Sequence, residues 1–94
     1  MIKHLDGNFQ SEISGKRVLV DFYADWCGPC RMMGPVLEKV MGIDILKVNI
    51  DTYPELAQQY GVMSIPNLFI FENGTPIKNH VGFINEEELN EFIG

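Results

Sequence analysis

The sequence predicts an α/β fold, a mixed central β-sheet with helices on both faces. Three observations carry that expectation. Two continuous β-rich runs, "RVLVDFY" at 17–23 and "ILKVNI" at 45–50, have the pattern of strands buried on both faces. The segment between them has helical spacing, and a strand–helix–strand unit implies parallel pairing with a right-handed connection. A later stretch, "NLFIFENGTPIKNHV" at 67–81, reads as a hairpin about Asn73-Gly74 and adds antiparallel strands.

The elements follow in order. Ile2 and Leu5 alternate weakly and suit a short edge strand. Asp6 or Asn8 caps a short helix through Glu12 and Ile13, ended by Gly15. The run 17–23 is the first long strand. A helix is expected from Cys27 to Met41, closed by Gly42, with Val36, Leu37, Val40 and Met41 at helical spacing. After the strand 45–50, Thr52 and Glu55 fit a capping box for a helix through Tyr60, and Gly61 ends it. Pro76 puts the second hairpin arm at a sheet edge. Asn85 and Glu88 form another capping box, and Glu86 to Glu88 suit the positive end of the last helix. Leu89, Phe92 and Ile93 pack that helix down. The order β-α-β-α-β-α-β-β-α over residues 1–94 makes one small domain, large enough for a core without staples.

Composition narrows the function classes. The net charge of −6 comes from 13 acidic and 7 basic residues, and the basic ones do not cluster. A nucleic-acid surface needs a basic patch, so none is expected. No apolar run approaches the roughly 18 residues of a membrane span. The start, "MIKHLDGNF", has no apolar signal region, so a cytoplasmic protein is expected.

Both cysteines of the chain lie in "FYADWCGPCRMMGP", residues 22–35, with only Gly28 and Pro29 between them. As a structural staple the pair is poor, because disulfide stabilisation grows with the length of the loop closed. As a zinc site it lacks ligands: only His4 and His80 remain, at no zinc-finger spacing. Reversible thiol chemistry remains. Cys27 follows a buried strand and starts a helix, where free N–H groups and the positive helix end favour an anion. Its thiol pKa should fall, and the thiolate is the attacking species in disulfide exchange. Cys30 sits one turn later on the same face, about 5–6 Å away between Cβ atoms. It can resolve a mixed disulfide formed at Cys27. Gly28 lets a substrate backbone approach. Pro29 has no N–H to leave unsatisfied in a first turn, and its fixed φ suits a helix start.

Around these residues, "VDFYADWCGPCRMMGPVLEKV" resembles the thioredoxin family, whose signature is Trp-Cys-Gly-Pro-Cys and which is itself the reference example of C-x-x-C thiol chemistry. "KVNID", "YGVMSIPNLFIFENG" and "HVGF" extend the resemblance over nearly the whole chain. It implies the thioredoxin fold and a protein-disulfide reductase acting as an electron carrier. Cys27 is then the exposed nucleophile and Cys30 the buried resolving thiol, tuned by Gly28 and Pro29. Asp21 is a buried carboxylate beneath the cysteines, accepting the proton of Cys30 through water, with Lys47 as its partner on the neighbouring strand. Trp26 covers the site. Pro66 is cis, Ile65 offers backbone to an extended substrate, and Gly82 lines the same groove. Pro35 kinks the long helix. The redox group is the Cys27–Cys30 pair, with no metal or other cofactor. Partners are protein disulfides and a thioredoxin-reductase-type electron donor, with no nucleic acid or membrane, and the chain is a monomer.

The sequence departs from the family pattern at Tyr23, where many members have tryptophan, and at Asn67, where threonine is common. Asn67 bears on the hydrogen bonding of the groove. For Asp21, disfavoured in a strand and costly when buried, the plainer reading is an ion pair with Lys47 or a solvated edge. Two other functions compete. An oxidase or isomerase usually carries histidine between the cysteines, where this chain has Gly-Pro. A non-catalytic binding module would use the groove around Trp26, Pro66 and Gly82 without turnover.

Overall fold

The computed structural model describes residues 1–94. The chain forms β1 (Ile2–His4), α1 (Phe9–Ile13), β2 (Arg17–Tyr23), α2 (Gly28–Glu38), β3 (Asp44–Asn49), α3 (Pro54–Gln59), β4 (Asn67–Glu72), β5 (Thr75–Val81) and α4 (Glu86–Ile93). The five strands make one sheet in the order β1-β3-β2-β4-β5. Pairing is parallel on the β1–β3–β2 side and antiparallel from β2 through β4 to β5. β2, paired along its length on both sides, is the middle strand.

Alternation along the strands divides the core in two. Val18, Val20 and Phe22 of β2 face α1 and α3, with Leu46, Val48, Phe69 and Phe71. Leu19 faces α2 and α4, with Ile45, Leu68 and Ile70. The first face is an aromatic cluster: Phe71 meets Phe9 and Tyr60 edge-on at 5.5 and 5.2 Å between ring centres.

Several local signals work as expected. The Asn8 side chain, rather than Asp6, caps α1 by accepting from the Ser11 N–H. The Asn85–Glu88 capping box is fully formed. Asn73 and Gly74 both have positive φ, at 50° and 81°, as a two-residue hairpin of this hand requires. α4 has no basic residue in its last turn, but Arg17 donates to the Ile93 carbonyl and Lys78 Nζ to the Phe92 carbonyl at 3.0 Å. Cations on β2 and β5 therefore serve the negative end of that helix.

Two boundaries differ. α2 ends at Glu38, not Met41. The Lys39 and Val40 N–H groups bond three residues back, to Val36 and Leu37, so the last turn tightens. Met41 is left exposed, and the core contacts of α2 are Cys30, Met33 and Leu37. α3 begins on Pro54 with Tyr53 as its uncapped N-cap, so the Thr52–Glu55 box does not form. Proline at the first helical position already removes one orphan N–H.

Phe71→Ala should lower stability by about 3–5 kcal/mol, the cost of emptying a fully packed aromatic position. Denaturant unfolding measures it. A loss below about 1 kcal/mol would mean that the cluster closes over the gap.

Candidate active site

β2 runs into the two cysteines with only a short turn between. After Tyr23 come Ala24, fully buried, and the exposed Asp25 and Trp26. Cys27 is the N-cap of α2, extended at φ −87° and ψ 113°, and its Sγ accepts the Cys30 N–H at 3.2 Å. A sulfur therefore occupies the place where helix N-termini hold an oxygen acceptor. Pro29 falls in the first turn, as its missing N–H favours. Gly28 opens the helix, and nothing lies within 4 Å of where a Cβ would project from it. Cys27 and Cys30 are joined as a disulfide, with Cα atoms 5.2 Å apart. Pro35 lies inside α2 and removes the N–H that the Arg31 carbonyl would otherwise accept.

The expected contrast between an exposed Cys27 and a buried Cys30 is small in this disulfide state. The two residues are 5% and 2% exposed. The Ile65 carbonyl lies 3.7 Å from Cys27 Sγ and helps close the site from the opposite loop. Trp26 stands at the rim of the site. It is 67% exposed, its indole N–H donates to Asp51 Oδ2 at 2.9 Å, and Tyr23, Ile50 and Ile65 are the side chains packed against the cysteines. Asp51 was not singled out by any sequence signal. Its place depends on the end of β3 lying beside the cysteine turn, which only strand pairing sets.

The Ile65–Pro66 peptide is cis, as expected. Pro66 is buried, and its carbonyl accepts the Gly82 N–H at 2.7 Å, tying the two loops together. Gly82 sits at φ +98°, which a side chain would strain. Neither the N–H nor the C=O of Ile65 makes a backbone hydrogen bond. Asn67 is buried beside them and takes an N–H of the Asn79 side chain, which also reaches the Leu68 carbonyl at 3.0 Å.

Asp21 is fully buried in β2, opposite Lys47 of β3 in the parallel register. Lys47 Nζ lies 3.9 Å from Asp21 Oδ2, an ion pair too long for a hydrogen bond. Neither carboxylate oxygen has a hydrogen-bond partner in the chain. Burial pushes the Asp21 pKa up to about 6, against the opposing pull of the Lys47 ammonium. The solvated-edge reading of Asp21 is excluded by its burial. An open pocket of about 310 Å³ reaches Lys47 and Cys30, with Tyr23, Asp25, Arg31 and His4 also in its wall, while Asp21 itself is not exposed to it. The structure thus gathers Cys27, Cys30, Gly28 and Pro29 at one corner, Ile65, Pro66 and Gly82 across from it, and Asp21 with Lys47 on the sheet. Trp26 lies at the exposed rim.

Comparison with known proteins points one way. The family model described as thioredoxin matches residues 1–94. A thioredoxin of Alicyclobacillus acidocaldarius is 49% identical over 90 residues, covering 89% of this chain and 86% of its own. One from Staphylococcus epidermidis is 45% identical, covering 99% of this chain and 94% of its own. A solved mutant thioredoxin from Halobacterium salinarum superposes with a TM-score of 0.90 at 35% identity, over 98% of this chain and 87% of that one. A chain from a structure of the thiol-resolving mechanism of yeast mitochondrial 1-Cys peroxiredoxin superposes with a TM-score of 0.86 at 29% identity, over 98% and 92%.

The charge of Asp21 should cost stability at neutral pH. With a folded pKa near 6 against 3.8 unfolded, the folded state keeps its proton longer. This group's stabilising effect is complete below pH 3.8 and is lost as pH rises to about 6. Asp21→Asn should therefore be more stable than the parent at pH 7, by about 1–3 kcal/mol, with the difference shrinking toward pH 4. Denaturant midpoints at both pH values check this. A less stable Asn variant would make Asp21 a net stabilising partner of Lys47.

Proposed function

We propose, on the premise that this chain belongs to the thioredoxin family, that Cys27 and Cys30 reduce client disulfides in two exchange steps. The protein is a protein-disulfide oxidoreductase and redox carrier of that family. The observation that carries the roles given to its residues is the Cys27 sulfur standing as the N-cap acceptor of α2, beside the unpaired backbone of Ile65.

In the dithiol state the Cys30 N–H and the helix end stabilise a Cys27 thiolate. That thiolate attacks one sulfur of the client disulfide. A Cys27–client bond forms, and the second client sulfur leaves as a thiolate and takes up a proton. Ile65 holds the client backbone against the cis-Pro66 loop and Gly82, and Trp26 borders the contact. Cys30 then loses its proton to Asp21 through water and attacks the Cys27 sulfur. The Cys27–Cys30 disulfide forms, and the first client sulfur leaves as a thiolate. That thiolate takes up the proton held by Asp21 through water, and the Cys27 proton went to solvent, so the client has gained two electrons and two protons and the carrier has lost them.

A carboxylate with a pKa near 6 is matched to this task near neutral pH. Lys47 limits how far burial raises that pKa. Gly28 and Pro29 keep the corner compact in both redox states. The 94 residues work as one domain and a monomer in the cytoplasm, with no metal or added cofactor. A thioredoxin-reductase-type donor returns the two electrons.

Limiting iodoacetamide should label reduced Cys27 before Cys30, and Cys30→Ser should accumulate client mixed disulfides that Cys27→Ser does not form. Mass mapping of the label and of the trapped species reads both. Preferential label on Cys30 would overturn the assignment, and a Cys27→Ser protein that keeps its cellular function would make the chain a binding module. Asp21→Asn should slow the second step by about 10²-fold at pH 7, at the low end of general-base catalysis, in single-turnover reduction.

A further inference from the structure

The Asp21–Lys47 pair has a neighbour on the outer side. Across β1, β3 and β2, His4, Lys47 and Asp21 stand in one register row, and Tyr23 follows Asp21 on the same face of β2. The Lys47 ammonium lies over the Tyr23 ring, 4.6 Å from its centre. The Tyr23 hydroxyl and His4 Nδ1 are hydrogen-bonded at 3.0 Å, with the two rings edge to face. We propose that Tyr23 and His4 are positioning residues, which hold the Lys47 ammonium between an aromatic face and the Asp21 carboxylate.

The geometry requires some such restraint. A lysine side chain is a flexible stem with a point charge at its end. At 3.9 Å from Asp21 the ammonium makes no hydrogen bond that would fix it there. The ring face supplies an attraction that does not depend on hydrogen-bond direction. His4 holds the ring at its hydroxyl end and meets it edge to face, which restrains the face offered to Lys47. Burial holds the Tyr23 phenol above its ordinary pKa, against a hydrogen bond with the Asn49 side chain and with a smaller push from the charges of Asp25 and Asp21, so its O–H is retained.

The groups facing Lys47 are therefore His4 from β1, Asp21 and Tyr23 from β2, Asp25 from the turn beyond, and Cys30 and Arg31 from α2. Arg31 is engaged elsewhere, donating to the Asp25 carbonyl at 2.9 Å. Lys47 is the cation paired with Asp21, so where it is held sets how far burial drives that carboxyl upward. The inference deepens the role proposed for Asp21, but its readout is the titration of Asp21 itself. That titration is the same whether or not the carboxylate serves Cys30.

The test tracks the Asp21 carboxyl carbon by NMR against pH in the disulfide form of the full chain, where no thiol titrates beside it. His4→Ala and Tyr23→Phe should each raise the Asp21 midpoint by about half a pH unit. The double variant should do no more than Tyr23→Phe alone, because the Tyr23–His4 hydrogen bond that His4→Ala removes is already lost there, together with the Asn49 contact. Lys47→Met should raise the midpoint further, and in that background His4→Ala should have no effect. A direct charge effect of His4 on Asp21 would persist there. No shift, a fall, additive shifts or a shift that survives Lys47→Met would each overturn the proposal. His4 is exposed, so its removal leaves the core packing intact.

Discussion

A carboxylate at the centre of the sheet, buried and without a hydrogen bond, is the constraint around which this molecule is arranged. β2 can tolerate it because both neighbouring strands hold the backbone in place, along almost the full length of the strand. The same rigidity delivers the chain to the cysteine turn with no freedom in between. Electrostatics at the site are consequently set by sheet register. Lys47 faces Asp21 because β3 is parallel and aligned with β2, and His4 faces Lys47 because β1 repeats that alignment.

Two different devices adjust two different acids. The Cys27 sulfur is served by short-range partners, a helix end and one amide, and both favour its anion. Asp21 is governed by desolvation, which favours its neutral form, and a single cation sets the limit. In the roles proposed above, the first group gives up a proton and the second receives one. Their separation in environment, within one small domain, is what lets one fold hold both roles.

Much of this was legible from local sequence. "RVLVDFY" matches β2 at both ends, because its β-branched and aromatic residues dominate the run even with Asp21 inside it. Asn73-Gly74 and Asn85–Glu88 each state their own geometry. The end of α2 was not legible, since Val40 keeps helical spacing while the backbone has already tightened toward Gly42. The anchoring of Trp26 was not legible either. Its partner Asp51 lies 25 residues away, and no local pattern competes with a contact made through the fold. The Tyr23–His4–Lys47 contacts were invisible for that reason too, since they exist only in the register of three strands.

The free edges of the sheet bear on selectivity. A second polypeptide in extended form can dock on a protein wherever main-chain groups are left unmated. β1 offers three residues, too few for a lasting ribbon. β5 interrupts its outer border with Pro76, and the ladder inside it is irregular at Ile70/Phe71. Ile65 remains, with no backbone partner for its amide or carbonyl and with the carbonyl 3.7 Å from the Cys27 sulfur. Sticky borders that would capture chains without reacting are blunted, while open backbone at Ile65 stands beside the cysteine sulfur proposed to react. On that proposal, capture and chemistry share the same few ångströms.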